Sequence, residues 1–262
     1  MYEEGRGVVQ DYAEAVKWYE KAAEQGDATA QYALGWAYSE GEGVTQNYVE
    51  AVKWYQKSAE HGDAGAQFNL GYMYYEGRGV AKNYAEAAKW YEKAAEQGDA
   101  DAQFSLGWMY SEGEGVTQNY VEAVNWYEKA AEQGDADAQF SLGAMYDEGR
   151  GVILNYVEAV KWYRKAAEQG NTDAQRNLAL RLSKGATRND AEALKWMRRH
   201  VNNDRAVAKE DARFVQKAAE QENGDAHLNL SMMYAEGRGV ARSYIKALQH
   251  FWKMVKCKTR RQ

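Results

Sequence analysis

Apolar positions along most of the chain follow a helical period and fall into two alternating stripes. Between residues 63 and 98, Ala66, Leu70, Met73 and Tyr74 share one face and predict a helix from Asp63 to about Glu76. Gly77 and Gly79 end it, because glycine takes the left-handed C-terminal conformation without a Cβ clash. A second helix is predicted from Asn83 to Gly98. Its buried side is Tyr84, Ala87, Ala88, Tyr91 and Ala95, and its solvent side is Glu86, Lys89, Lys93 and Glu96. Asn83 with Glu86 has capping-box spacing, as do Asp11/Glu14, Asn47/Glu50, Asn119/Glu122, Asn155/Glu158 and Asn189/Glu192. We call the two helices of each unit A and B.

The unit repeats. Trp18, Trp54, Trp90, Trp126 and Trp162 stand 36 residues apart, and so do Gly5, Gly41, Gly77, Gly113 and Gly149. The stretch Tyr38–Val52 returns unchanged at Tyr110–Val124, as if a two-repeat block had been duplicated. Helices this short are not stable alone, so the core is expected to form between stacked units. The recurring tryptophans of helix B are read as core. The Gly-x-Gly loops follow a helix rather than a strand and lack a Gly-Lys-Ser/Thr sequence, so they read as helix stops rather than phosphate cradles.

Three segments stand out motif by motif: Ala66-Gln67-Phe68-Asn69-Leu70-Gly71-Tyr72-Met73-Tyr74, Glu76-Gly77-Arg78-Gly79-Val80, and Ala87-Ala88-Lys89-Trp90-Tyr91-Glu92-Lys93-Ala94-Ala95-Glu96-Gln97-Gly98. Together they resemble the Sel1-like repeat family, a relative of the tetratricopeptide repeats. The resemblance implies an all-α fold, a right-handed α-solenoid or superhelix of about seven helix–turn–helix repeats of 36 residues. It also implies an adaptor or scaffold in protein complexes. One solenoid is expected over 1–262, with a terminal half-repeat at 1–26 and four regular repeats at 27–170. Degenerate repeats follow at 171–221, and a final repeat with a basic tail at 222–262. Trp196 comes 34 residues after Trp162, and Phe214 only 18 after that, so an irregular repeat is expected at about 197–221. Tyr2-Glu3-Glu4-Gly5 reads as the tail of a helix A whose body is missing, so either helix B caps the array or the natural chain starts earlier.

Composition sharpens this picture in three ways. Proline is absent, so the turns rest on Gly, Asn and Asp. Cys257 is the single cysteine, which excludes an intrachain disulfide. Some secreted relatives pin each repeat with a cysteine pair and have been linked to β-lactam hydrolysis, a link that does not transfer to a chain lacking those cysteines. The net charge of −6 divides unevenly: residues 1–175 hold 14 Lys+Arg against 30 Asp+Glu, and residues 176–262 hold 19 against 9. The basic end, with Lys253, Lys256, Lys258, Arg260 and Arg261, reads first as a solvated helix terminus. The alternative is an anion-binding surface, including weak self-association with the acidic half of another copy.

No catalytic residue, metal site or cofactor is expected. His61, His200, His227 and His250 show no metal-ligand spacing, and no Ser/His/Asp set stands out. The chain is therefore read as a non-enzyme, with no nucleic-acid partner and no transmembrane segment. A cytoplasmic location is expected, unless a missing N-terminal segment carries a signal peptide.

The candidate site is the second face of helix A: Tyr32, Trp36 and Ser39, then Phe68, Tyr72 and Tyr75, Phe104, Trp108 and Ser111, and Phe140, Ala144 and Asp147. Resemblance to tetratricopeptide repeats puts these positions on the concave wall. Tyr32, Phe68, Phe104 and Phe140 are read as packing against the next repeat; Trp36, Tyr72, Tyr75 and Trp108 are read as lining a groove. Glu40, Glu76, Glu112 and Glu148 rim it, so the expected partner is a protein or peptide segment with apolar and basic residues. The residue between the loop glycines alternates as Arg6, Glu42, Arg78, Glu114 and Arg150; either opposite charges face each other along one edge as a weak aid to registry, or the alternation is drift preserved by block duplication.

Overall fold

A computed structural model describes residues 9–184 together with Tyr234, Lys246, Gln249, His250 and Lys253. Among the described residues there are ten α-helices of 13 residues each and no strand: α1 (Tyr12–Glu24), α2 (Ala28–Glu40), α3 (Tyr48–Glu60), α4 (Ala64–Glu76), α5 (Tyr84–Glu96), α6 (Ala100–Glu112), α7 (Tyr120–Glu132), α8 (Ala136–Glu148), α9 (Tyr156–Glu168) and α10 (Thr172–Lys184). Odd-numbered helices are the B helices and even-numbered ones the A helices. The chain packs as two compact units, residues 1–138 with 150–152, and residues 139–149 with 153–262. The irregular repeat expected at 197–221, the tail beyond Lys253, Cys257, His200 and His227 lie outside the described residues.

Each boundary is fixed by short-range chemistry. Asp27, Asp63 and Asp99 cap the A helices by accepting the backbone N–H three residues on. Gly41, Gly77 and Gly113 end them in the left-handed region. Asn47, Asn83, Asn119 and Asn155 cap the B helices in the same way. The capping box is not reciprocal, however. The Asn83 N–H donates to the Tyr74 carbonyl at 2.8 Å, closing the A-to-B turn, so no donor remains for Glu86. Glu86 instead pairs with Lys89 at 2.6 Å.

Inside each repeat, helix A lies close against helix B. A Cβ at Gly35, Gly71 or Gly107 would stand only 2.5, 2.7 or 2.8 Å from the ring of Tyr55, Tyr91 or Tyr127. Glycine at this position lets the tyrosine ring lie flat on the A-helix backbone, and Tyr55, Tyr91 and Tyr127 are buried as a result. Between repeats, the second loop glycine makes an equally close approach. Gly79 has a φ of +71°, and a Cβ there would overlap the carbonyl of Tyr48 in the first turn of the preceding B helix. Gly43, Gly115 and Gly151 meet Tyr12, Tyr84 and Tyr120 in the same way. The loops therefore do more than stop helices: the second glycine is the contact point between neighbouring repeats.

A buried glutamine locks the stack. The Gln67 side chain donates to the Ala59 carbonyl of the preceding B helix at 3.1 Å. Its Oε1 accepts from Gln97 Nε2, at the end of its own repeat's B helix, at 2.7 Å. Gln103 repeats the arrangement with Ala95 at 3.0 Å and Gln133 at 2.8 Å. At Gln31, His61 Nδ1 takes the glutamine's place at 3.1 Å, and the acceptor role of Gln31 Oε1 assigns the proton to Nδ1. One side chain thus ties three helices, and both of its polar atoms are satisfied where water is excluded.

Candidate protein-interaction surface

Along the first unit, the A helices present a band of partly covered aromatic rings. Trp36, Tyr72, Tyr75 and Trp108 are all half-buried. Trp36 packs against the core formed by α3 and α4, and Tyr72, Tyr75 and Trp108 against that formed by α5 and α6. The Tyr75 and Trp108 rings meet edge to face at 5.9 Å across the repeat junction. Glu40, Glu76, Glu112 and Glu148 are exposed.

The other sequence candidates divide. Tyr32, Phe68 and Phe104 are also half-buried; each meets a tyrosine of helix B in its own repeat, and Tyr32 and Phe68 also pack on the core that includes the next repeat's helix A. The pairs are Tyr32–Tyr55 at 5.9 Å, Phe68–Tyr91 at 5.6 Å and Phe104–Tyr127 at 5.8 Å. In the second unit, Phe140 meets Tyr163 at 5.8 Å. Ser39 and Ser111 are buried, so the wall is not continuous at that position. Only Tyr75, the bulky residue of the series, reaches out, and its hydroxyl donates to Glu114 at 3.2 Å. Burial, with Glu114 beside it, pushes the Tyr75 phenol up to about 12.

Several residues on this face were not singled out from the sequence. Tyr84 was read as core, yet it is half-buried at 5.0 Å from Tyr75, and Tyr48 and Tyr120 occupy the same position in their repeats. The loop cations also belong here. Arg78 lies over the rings of Tyr72, at 5.2 Å, and Tyr48, at 5.7 Å. Lys82 lies over Tyr84, at 4.7 Å, and Tyr75, at 5.6 Å. Two of the alternating loop charges find other contacts than the expected edge pairing: Arg78 goes to aromatic rings and Glu114 to a phenol. A guanidinium beside an electron-rich ring face keeps most of its hydration there, which an ion pair between exposed side chains would sacrifice for little gain.

The tryptophans of helix B depart from the core reading. Trp126 is 9% exposed and belongs to the core, Trp54 and Trp90 pack at the edge of the core formed by the preceding B helix and their own repeat's A helix, and Trp18 is 53% exposed. Each carries the lysine three residues on over its ring: Lys57 at 3.9 Å on Trp54, Lys93 at 3.8 Å on Trp90 and Lys129 at 3.6 Å on Trp126. In the second unit, Asp147 meets Arg181 at 2.5 Å, and Arg181 also covers Tyr156. Among the described residues, no cluster of three or more His, Cys, Asp or Glu could hold a metal ion, and no helix is long and apolar enough to cross a membrane.

The Sel1 repeat pattern matches residues 1–27, 28–63, 64–99, 100–135, 136–171, 172–199 and 224–253. The chain is a member of the Sel1-repeat family. Its all-helical fold matches two solved Sel1 solenoids. A protective antigen present in uropathogenic Escherichia coli strains, with an SLR fold, is 38% identical over 97% of this chain, with a TM-score of 0.77. This chain spans 59% of the length of that antigen. A Sel1 repeat protein from Oxalobacter formigenes is 35% identical over 93% of this chain and 91% of its own length, with a TM-score of 0.70. No protein of curated function matches the chain. Sel1 repeats are commonly protein-interaction scaffolds, and the fold is generally non-catalytic.

Proposed function

We propose that this Sel1-repeat protein is a scaffold that holds a peptide or protein segment along the A-helix face of residues 28–112. The band of half-buried aromatic rings bordered by exposed carboxylates carries this reading. Rigid, partly desolvated aromatics supply contact area at little entropic cost, and the carboxylates favour basic residues beside the apolar ones. The resemblance to tetratricopeptide repeats supports taking this face as the concave one, where a bound segment would contact several repeats at once.

Trp36, Tyr72 and Trp108 also pack on the core, so alanine variants there would unsettle the fold along with the surface. Reversing the exposed rim avoids this problem. A peptide selected on the immobilised full chain should lose at least about tenfold in affinity to Glu40→Lys/Glu76→Lys/Glu112→Lys, a change of about 1.4 kcal/mol. The helical circular dichroism of that variant should be unchanged. Affinity retained by the variant would dismiss the A-helix face as the docking surface.

A further inference from the structure

Within the acidic part of the chain, Arg78 and Lys82 are held against tyrosines rather than in a close ion pair, with Lys82 also hydrogen-bonded to Tyr84 and under the influence of the Glu76 and Glu114 charges. On the B helices, Lys17, Lys53 and Lys89 each pair with the glutamate three residues before them at 2.6–2.8 Å. Arg78 and Lys82 are exposed, and their neighbours on the A-helix side are the rings of Tyr48, Tyr72, Tyr75 and Tyr84. Of the two carboxylates that act on Lys82, Glu76 is exposed on the rim, and Glu114 is half-buried and occupied by the Tyr75 hydroxyl.

The Arg–Lys pair is confined to one repeat: two repeats on, Arg150 again lies over a tyrosine, Tyr120 at 5.6 Å, but the position of Lys82 is Leu154. The position of Arg78 is Glu42 in the repeat before and Glu114 in the repeat after, and the position of Lys82 is Gln46 and Gln118. Gln46 and Gln118 are turned inward, donating to the carbonyls of Ser39 and Ser111 at 2.7 and 2.8 Å. The centre of the face thus carries two cations held over rings, and each flank carries a carboxylate. A ring beneath a cation limits its rotamers while leaving its outer N–H donors open to an anion.

Building on the docking face proposed above, we propose that the bound segment seats one acidic side chain on Arg78 and Lys82, and that this contact sets its register along the repeats. Sliding the segment by one repeat would put its acid against Glu42 or Glu114. That penalty discriminates between registers that the aromatic band alone would leave nearly equal. The partner is therefore a segment with apolar and basic residues and one central Asp or Glu. It is not a uniformly basic segment, and not an anion-rich polymer, which the rim carboxylates would repel.

The test is a random-peptide library selected on the immobilised full chain, followed by titration of one selected peptide. Selected sequences should share an Asp or Glu at one position, flanked by Lys or Arg and aromatic residues. Changing that acid to its amide should weaken binding to the wild-type chain about tenfold, the order of a charge-assisted contact. Arg78→Gln/Lys82→Gln should weaken the acidic peptide by the same factor and leave the amide peptide unaffected, so that the two changes together cost no more than either alone. Both side chains are exposed, and circular dichroism checks that the variant keeps its helices. Peptides that lose binding to the Glu40→Lys/Glu76→Lys/Glu112→Lys variant yet show no acidic preference, or an additive cycle, would overturn this inference and leave the docking face standing. Peptides indifferent to the rim variant, or no selected peptide at all, would overturn both.

Discussion

Replacing Gly79 by alanine tests how the repeats are joined. Gly79 has a φ of +71°, and an added Cβ would overlap the Tyr48 carbonyl and stand 2.8 Å from the Val49 nitrogen. Both atoms are helix backbone in the preceding repeat, so no rotamer change relieves the contact. Gly62 is the control. It has a φ of +94°, and nothing lies within 4 Å of an added Cβ. Gly62→Ala should cost only the left-handed strain, about 1–2 kcal/mol. Gly79→Ala should add an overpacking term of about 1–3 kcal/mol, because one repeat must move off its neighbour. Urea unfolding followed by circular dichroism and tryptophan fluorescence reads both. Beyond the larger loss, Gly79→Ala should broaden or split the transition, since stability in a stacked array is a sum of repeat and interface terms and this variant weakens one interface. Equal losses at the two glycines, with a single unchanged transition, would refute the close-contact reading of the second loop glycine.

Further outcomes follow from the same packing. Gln103→Ala should cost about 1–3 kcal/mol in urea unfolding, because it removes two hydrogen bonds of a buried side chain and leaves the Ala95 carbonyl and the Gln133 amide with only their contacts to the Gly98 backbone. Gln133→His should be nearly neutral, since His61 already fills that position one block earlier; a loss as large as that of Gln103→Ala would undo the ladder argument. Trp90→Ala should destabilise by about 3 kcal/mol and Trp18→Ala by less than about 1, as the first packs on the preceding repeat and the second is 53% exposed; similar losses would contradict this. Burial raises the carboxyls of Asp99 and Asp135 above the usual range. The folded state then holds these protons after the unfolded chain has released them, so stability drops as pH rises from about 4 through the raised values. Asp99→Asn/Asp135→Asn keeps the caps, as Asn171 does in accepting from the Ala174 N–H at 2.8 Å, and should flatten that drop in thermal melts across pH 4–7. An unchanged pH profile would count against burial of the two caps.

The periodic part of the fold was open to sequence reasoning because each repeat states its own rules. Helix A was predicted over Asp63 to Glu76 and occurs at Ala64–Glu76, and helix B was predicted from Asn83 and occurs at Tyr84–Glu96. Caps and stops are local, so residue type and spacing identify them. The partners of a side chain are not local. Gln67 looks like an ordinary polar helix position until the carbonyl eight residues before it and the amide thirty residues after it are brought together. Trp18 is the same residue type as Trp90 yet is 53% exposed, a difference that the repeated spacing does not register. Arg78 and Glu114 suggested charge pairing by their alternation, whereas Tyr48, under Arg78, and Tyr75, bonded to Glu114, stand one repeat earlier and could not be seen in the spacing. Tyr84 was grouped with the core by periodicity alone; it packs at the edge of the core and also against Tyr75, a contact that periodicity does not reveal.

The central claim is that stacked helix pairs leave their A-helix side free to hold another chain. Hydrogen exchange of the full chain, with and without a peptide selected on it, tests this most directly. The account predicts slowed exchange in α4, in α6 and in the loop at 77–83 that carries Arg78 and Lys82, with the B helices unchanged. Slowing confined to the B helices around Trp54, Trp90 and Trp126 would contradict it.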